Sequence, residues 1–179
     1  MEFVETKLPG AYVIKPTRHS DERGYFARTF CKKEFAEHGL NPDVVQSSIS
    51  YNQNRGTFRG MHFQASPYRE EKLVSCVQGA ILDYIVDLRP ESPTFKEYVK
   101  VELSAENGFA LYVPKSFAHG FLTLRDNSIV LYQMTEYHHA EAAYGFRWDD
   151  PAFDISLPFQ VTTQAERDRN YPDLYVLPV

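Results

Sequence analysis

Four polar side chains with reactive groups stand in apolar stretches of the sequence: Lys72, Asp83, His119 and Tyr132. Ammonium, carboxyl, imidazole and phenol groups bind anions or move protons. Side chains alternate across a strand, and by this alternation each of the four lies among apolar neighbours. Burying such groups without partners costs roughly 2–7 kcal/mol each. The sequence therefore predicts a concave interior in which these groups pair with one another or face a ligand.

The segment GTFRGMHFQ, residues 56–64, holds an arginine and a histidine three positions apart. In an unbroken strand, Arg59 and His62 would lie on opposite faces. Gly60 between them is typical of a bulge, which would direct both side chains into one pocket. The alternative at this point is a surface arginine and a core histidine with a purely structural partner.

The elements that must hold these residues are mostly short strands. Ten runs rich in β-branched and aromatic residues, separated by turn signals, predict an all-β antiparallel sandwich or barrel. Short helices are expected at 32–38, where Gly39 follows, and at 164–170. No linker or repeat divides the chain, so a single domain over 1–179 is expected. The predicted strands are 11–15, 25–30, 44–51, 57–64, 72–77, 80–88, 98–103, 109–113, 120–124 and 129–135.

Composition and charge argue against several classes of function. The 179 residues carry 19 Lys+Arg and 24 Asp+Glu, a formal net charge of -5, whereas nucleic-acid and anionic-membrane binding need a concentrated positive field. No apolar stretch approaches the ~18 residues of a membrane span, and the N-terminus lacks the segments of a signal peptide. We therefore expect a cytoplasmic protein without nucleic-acid or membrane partners, in which any phosphate site is local.

Six segments occur together, in order, over nearly the whole chain. They are DERGYF at 21–26, GTFRGMHFQ at 56–64, KLV at 72–74, DYIVDLR with SPT between 83 and 94, PKSFAHGF at 114–121, and WDDP at 148–151. Together they resemble the nucleotide-sugar epimerases of the cupin superfamily, the dTDP-4-dehydrorhamnose 3,5-epimerase family. This resemblance implies a cupin-type jelly-roll β-barrel or sandwich, a homodimer, and catalysis with neither metal nor organic cofactor.

The resemblance also implies roles for four residues. His62 corresponds to the general base of the family, and Asp168 to the carboxylate that orients it. Tyr132 corresponds to the catalytic acid, and Lys72 to the cation that stabilises an enolate. A 4-keto sugar needs these groups, because removal of a proton from C3 or C5 leaves an anion on the ketone oxygen. We further expect the cationic Lys72 to make the Tyr132 phenolate less costly.

The resemblance also indicates which residues bind the substrate. Contacts with phosphate or nucleotide carry over to Arg23, Gln46, Arg59, His119 and Arg167. Asp83 is expected to orient a neighbour from behind the pocket, or simply to pair with His119.

Departures from the family pattern concern the nucleotide end. Arg28 and Ala143 replace glutamates, and Ser48 replaces an asparagine. The aromatic ring that stacks on the base falls at Tyr137 or His138.

Two other classes of function remain as alternatives: a metal-dependent cupin oxygenase or isomerase, and a non-catalytic module that binds sugar nucleotides. The first usually needs two closely spaced histidines with a glutamate and a distal histidine, whereas His62 is followed by Phe63 and Gln64. For the second, a base, a cation and an acid would be superfluous. Within the favoured class, the sequence does not decide whether C3 alone or both C3 and C5 are inverted. It also leaves open which nucleoside the substrate carries.

Overall fold

The computed structural model describes residues 1–174, which form mainly two β-sheets that face each other. One sheet has the strand order β1-β2-β10-β7-β12-β5, and the other β13-β6-β11-β8-β9, with β14 parallel to β6. A separate hairpin joins β3 and β4. The strands are β1 (Glu2–Glu5), β2 (Tyr12–Lys15), β3 (Arg18–Asp21), β4 (Gly24–Ala27), β5 (Gln46–Asn52), β6 (Thr57–Gln64), β7 (Lys72–Gln78), β8 (Ala80–Asp87), β9 (Tyr98–Ser104), β10 (Ala110–Val113), β11 (Phe117–Thr123), β12 (Ser128–Met134), β13 (Ala143–Gly145) and β14 (Thr163–Gln164).

An apolar core fills the space between the two sheets. Val74 of β7, Ile81 and Ile85 of β8, and Val130 of β12 are fully buried in one cluster there. By alternation, these residues share a face with the polar groups of the same strands, as the sequence predicted. Apolar side chains therefore fill this interior, and the polar groups of the same strands face it as well.

Two further clusters lie outside this core: one around Ile14, Phe35 and Tyr112 covers part of the first sheet, and the other covers the outer face of the second. Phe58, Met61 and Leu122 of the second sheet pack against Phe146 and Phe153 of the segment that follows β13. Burial at about 25 cal/mol per Å² of apolar surface makes such a cluster a main source of stability. Because the chain end packs here, it is held close to β6.

The predicted all-β sandwich is confirmed, and each of the ten predicted strands overlaps an observed one. The last residues of the single domain predicted over 1–179, 175–179, lie outside the described part. The prediction missed β1, β3, β13 and β14. β3, with the sequence RHSD, lacks apolar alternation because all four of its residues are exposed. β11 begins three residues earlier than predicted, since Phe117 already pairs with Asp87 of β8.

Both predicted helices are present but shorter. α1 spans Lys32–Glu37 and α2 spans Glu166–Arg169, and a 3-10 turn lies at Ala140–Ala142. Within residues 1–174, no helix has the length and apolar character needed to cross a membrane.

The pairing of β6 with β11 contains the bulge predicted at Gly60. Arg59 and His62 pair with residues of β11 that are only two positions apart, so Gly60 and Met61 together oppose Gly120. Gly60 has a φ of +120°, which glycine adopts at little cost. An added Cβ there would lie 2.6 Å from the Gly120 Cα. The strand therefore needs glycine at this position both for its φ and for the close approach of β11.

Candidate active site

Two adjoining cavities open in the molecule, of about 350 Å³ and about 380 Å³. His62, Lys72, Tyr132 and Arg167 line both of them. Three of these four come from strands of the two sheets, and the fourth comes from α2. The first cavity is also lined by Gln46, Ser48, Glu70, His138 and Tyr144, and the second by Ser50, Arg59, His119 and Asp168.

A histidine and a carboxylate form the centre of this arrangement. His62 Nε2 donates to Asp168 Oδ1 at 2.8 Å, and the peptide N–H of Gly60 donates to Asp168 Oδ2 at 3.1 Å. The imidazole is 36% exposed, whereas the carboxylate is 6% exposed. The ring thus reaches the cavity while the carboxylate holds it from behind.

The environment of Asp168 favours its ionised form. Burial by itself would raise the pKa of this carboxyl, but the hydrogen bond and charge of His62, with the Gly60 N–H, outweigh burial and lower the pKa. The bulge supplies part of this effect, because the Gly60 N–H points to Asp168 rather than into the sheet ladder. The sequence placed Asp168 in this region only through the family resemblance, and α2 brings it into contact with His62.

Lys72 is paired with a residue that sequence reasoning missed. Its Nζ lies 2.8 Å from Glu70 Oε1, and the two side chains are only 14% and 12% exposed. The signal that could have found Glu70 is its spacing, two positions before Lys72 at the start of β7. A charged residue just outside a strand reads in the sequence as a surface residue.

Tyr132 lies between the two cavities, partly buried against Phe121 and His119. Its ring is perpendicular to that of His119, with centroids 6.0 Å apart. Burial raises the pKa of the phenol, the negative charge of Asp83 raises it further, and Arg59 and a hydrogen bond with Ser50 act in the opposite direction. Burial and then the charge of Asp83 prevail and raise the pKa of the phenol, so the expected effect of Lys72 on the phenolate stays a prediction.

A second histidine–carboxylate pair lies deeper than the first. His119 Nε2 donates to Asp83 Oδ1 at 2.7 Å, and the side chains are 5% and 0% exposed. Burial raises the pKa of Asp83, while the charges of His119 and Lys72 act to lower it. Asp83 Oδ2 is buried and has no hydrogen-bond partner among residues 1–174. Asp83 thus supports His119 from behind, as the sequence suggested.

The cavities hold two arginines and one row of polar residues on β5. Arg59 Nε donates to Asn52 Oδ1 at 2.7 Å, and Arg167 Nε donates to the Tyr171 hydroxyl at 2.6 Å. Both Arg59 and His62 line the second cavity, as the predicted bulge requires. Alternation along β5 brings polar groups to the cavities at every second position, Gln46, Ser48 and Ser50.

The structure favours His138 over Tyr137 as the aromatic ring at the cavity. The His138 N–H donates to Gln46 Oε1 at 2.9 Å, and the residue lines the first cavity. Tyr137 is 56% exposed and is outside both linings. Tyr144, which sequence reasoning missed, also lines the first cavity and stacks on Phe63. Ala143 is at the same cavity, so the missing glutamate leaves space there.

Two predicted substrate contacts lie elsewhere in the chain. Arg23 is at the turn of the β3–β4 hairpin, with its guanidinium 2.6 Å from Asp21 and its side chain 84% exposed. Arg28 is bound to Glu34 of α1. Neither residue lines the two cavities in this chain, so their contact with substrate stays a prediction. In residues 1–174, no group of three or more His, Cys, Asp or Glu side chains is placed to hold a metal ion.

The fold and the site together define a class of protein: a jelly-roll sandwich whose cavity holds a histidine–carboxylate pair, a lysine and a tyrosine suited to proton transfer. The family model described as dTDP-4-dehydrorhamnose 3,5-epimerase matches residues 5–175. The chain belongs to this family.

Individual relatives agree with this assignment. A dTDP-4-dehydrorhamnose 3,5-epimerase of Methanothermobacter thermautotrophicus is 43% identical over 99% of this chain and 96% of its own. The crystal structure of the same enzyme from Bacillus anthracis, with TDP and PPi bound, aligns with a TM-score of 0.92 at 40% identity, over 96% of this chain and 98% of the other. A 3'-monoepimerase of Streptomyces bikiniensis in complex with dTDP-quinovose aligns with a TM-score of 0.87 at 30% identity, over 94% and 86%. The cupin-type jelly roll is thereby confirmed.

Proposed function

We propose that the protein epimerises a nucleoside-diphosphate 4-keto-6-deoxy sugar, dTDP-4-dehydro-6-deoxyglucose, at C3 and C5, in the synthesis of a rhamnose-type deoxysugar. The observation that carries this proposal is the 2.8 Å contact of His62 with Asp168 in a cavity shared with Lys72 and Tyr132. Family membership supports the same reaction. The residue roles are our proposal.

His62 acts as the base in this mechanism. Its Nε2–H donates to Asp168, which leaves Nδ1 as the ring atom that accepts a proton. The hydrogens on C3 and C5 are acidic because both carbons adjoin the C4 ketone. Asp168, held ionised by its two hydrogen bonds, stabilises the imidazolium that forms.

Lys72 and Tyr132 complete the reaction. Removal of the proton moves negative charge onto the ketone oxygen, and the Lys72 ammonium stabilises that charge where water is largely excluded. Tyr132 then gives its proton to the opposite face of the carbon, which inverts the centre. The raised pKa of this phenol keeps it protonated across the neutral range, so the acid is ready before the enolate forms.

Arginines and β5 residues bind the rest of the substrate. Arg59 and Arg167 offer forked donors for a diphosphate, which lets an acidic protein hold an anionic ligand. Gln46 and Ser48 contribute polar groups along the same side, and His138 offers a ring to the nucleobase. Because Ser48 and Ala143 replace larger polar residues, we expect looser contacts with the base.

Deuterium exchange tests the proposed reaction. The purified protein, given the dTDP-linked 4-keto sugar in deuterated water without added metal or cofactor, should introduce deuterium at C3 and C5. Deuterium at C3 alone would identify a monoepimerase, the activity named for the Streptomyces bikiniensis relative. His62→Ala should abolish exchange, whereas Tyr132→Phe should reduce inversion more than exchange because the base is intact. A wild-type protein that exchanges neither carbon would contradict the proposal.

We also propose a homodimer, formed through the outer face of the first sheet. Ile49, Leu131, Ser75 and Ala110 lie side by side across four strands of this sheet. Ile49 within this row is 69% exposed, and Tyr51 and Val77, two positions along the same strands, are 54% and 51% exposed. An exposed apolar patch of this kind is typical of an interface.

Sedimentation measures the assembly. A wild-type dimer that Ile49→Lys converts to a monomer would support the proposed face, whereas a monomeric wild-type protein would contradict it. We further propose that the whole chain forms one domain. The cytoplasmic location remains a prediction from the sequence.

A further inference from the structure

Lys72 has two carboxylates in its surroundings, and only one of them holds it. Glu70 Oε1 lies 2.8 Å from its Nζ at the wall of the first cavity. The other carboxylate is Asp83 of β8, which is fully buried beneath the cavity. The position of the ammonium is therefore the result of a competition between two anions.

Asp83 is a strong competitor for the ammonium. One of its oxygens binds His119, whereas the other, Oδ2, is buried without a hydrogen-bond partner in residues 1–174. Burial raises the pKa of Asp83 and so makes its charged form costly, and a cation that reaches Oδ2 relieves this cost. Lys72 and His119 line the same cavity, and Asp83 binds His119 directly, so the ammonium and this carboxyl lie in one neighbourhood.

Glu70 is suited to oppose this attraction. Its side chain is 12% exposed, so the field of its carboxylate is only weakly screened by water. Lys72 is its one polar partner among residues 1–174. A lysine side chain is flexible and holds no fixed direction by itself. The contact with Glu70 is therefore what keeps the ammonium at the cavity wall.

We propose that Glu70 is a positioning residue, which holds the Lys72 ammonium where a ketone oxygen can bind and keeps it away from Asp83 Oδ2. This inference rests on the proposed function, in which Lys72 stabilises the enolate. Without Glu70, the ammonium turns to Asp83, and the developing charge on the ketone oxygen loses its partner. Enolate formation suffers, whereas binding of the diphosphate by the arginines does not.

The test compares deuterium exchange by the wild type, Glu70→Ala, Glu70→Gln, Asp83→Asn and Glu70→Ala combined with Asp83→Asn. Glu70→Ala should lower kcat for exchange by about tenfold to a hundredfold, with little change in KM. This is less than the about 100- to 1,000-fold loss of one oxyanion-hole donor, because the ammonium is displaced rather than removed. Glu70→Gln keeps an acceptor for the ammonium and should recover part of the rate. The control Glu71→Gln removes a neighbouring carboxylate that binds Asn41 and Thr135 outside the cavities, and should keep the wild-type kcat.

The double variant separates positioning from a general structural effect. Asp83→Asn keeps an oxygen for His119 but removes the anion that attracts Lys72. The Glu70→Ala loss should therefore shrink to less than about threefold in the Asp83→Asn background. An equal loss in both backgrounds, or a wild-type kcat for Glu70→Ala, would overturn the proposal.

A crystal structure of Glu70→Ala gives a readout that does not depend on activity. It should show the ammonium at hydrogen-bond distance from Asp83 Oδ2, and an ammonium still at the cavity wall would also overturn the proposal. If the wild-type protein introduced deuterium at neither C3 nor C5, the result would contradict the proposed function rather than this proposal. Thermal unfolding of each variant verifies that it is folded.

Discussion

At the scale of single residues, the sequence located the reactive groups because their chemistry is unusual in an apolar strand. His62, Lys72 and Tyr132 line both cavities. Glu70 was not predicted as a site residue, because a glutamate in a charged stretch of sequence is usually exposed to solvent. The direction of the pKa shift of Tyr132 could not be predicted from the sequence, because it depends first on burial and then on the charge of Asp83 on another strand.

The His62–Asp168 contact leads to a prediction at this scale. In Asp168→Asn, the amide can donate to Nε2, which reverses the ring tautomer, and it can no longer stabilise an imidazolium. We expect kcat for deuterium exchange to fall by at least about a hundredfold, the usual contribution of a positioned base. Glu166→Gln, an exposed carboxylate of the same helix, is the control and should keep its rate. Undiminished exchange in Asp168→Asn would show that another group orients His62.

At the scale of elements, alternation and turn signals predicted most strands, because apolar side chains on one face leave a clear period of two. Elements without that pattern were missed, such as β3 in the exposed hairpin that carries Arg23. The bulge in β6 was predictable from a glycine inside a strand. The contact of α2 with β6 was not, because it depends on how the chain end packs over the second sheet.

Gly60→Ala tests the bulge as an element. Both the φ of +120° and the 2.6 Å approach to Gly120 Cα oppose a side chain. Backbone strain should cost about 1–3 kcal/mol of the free energy of unfolding, and overpacking about 1–3 kcal/mol more. Urea unfolding measures the sum. Gly24→Ala, with a φ of +126° and no atom within 4 Å of the added Cβ, isolates the strain. Equal losses in the two variants would mean that the approach of β11 is not limiting.

At the scale of the whole molecule, two facing sheets hold the site, and the C-terminal segment closes one side of it. This architecture is predicted by the sequence alone, from the number of strands and the spacing of turns. The relative positions of charges that are distant in the sequence could not be predicted, because they depend on how the two sheets pack. The acid stability of the protein depends on such charges, and Asp87 at the end of β8 is the clearest case.

Asp87 is fully buried, and it binds Arg89, Ser92 and Thr94. Burial would raise the pKa of this carboxyl, but these donors, with Arg89 first, outweigh burial and lower its pKa to about 2. A group whose pKa is lower in the folded state stabilises that state above the unfolded value, and the contribution disappears as pH falls through the folded value. For Asp87 this window lies between 3.8 and about 2.

The ionised Asp87 should therefore contribute about 2 kcal/mol at neutral pH, which acid removes. Asp168 adds to the loss in acid because its pKa is also lowered, whereas Asp83, with a raised pKa, acts in the opposite direction. Asp87→Asn should unfold at lower urea concentration than the wild type at pH 7, and the difference should shrink as the pH is lowered below 4. Urea titrations at a series of pH values measure both changes. Asp149→Asn is the control, since Asp149 is a partly exposed partner of Arg147, and its effect at pH 7 should be small. If the Asp87→Asn difference stayed constant down to pH 2, the neutral side chain would hold this network as well as the carboxylate, and the pKa of Asp87 would not be lowered.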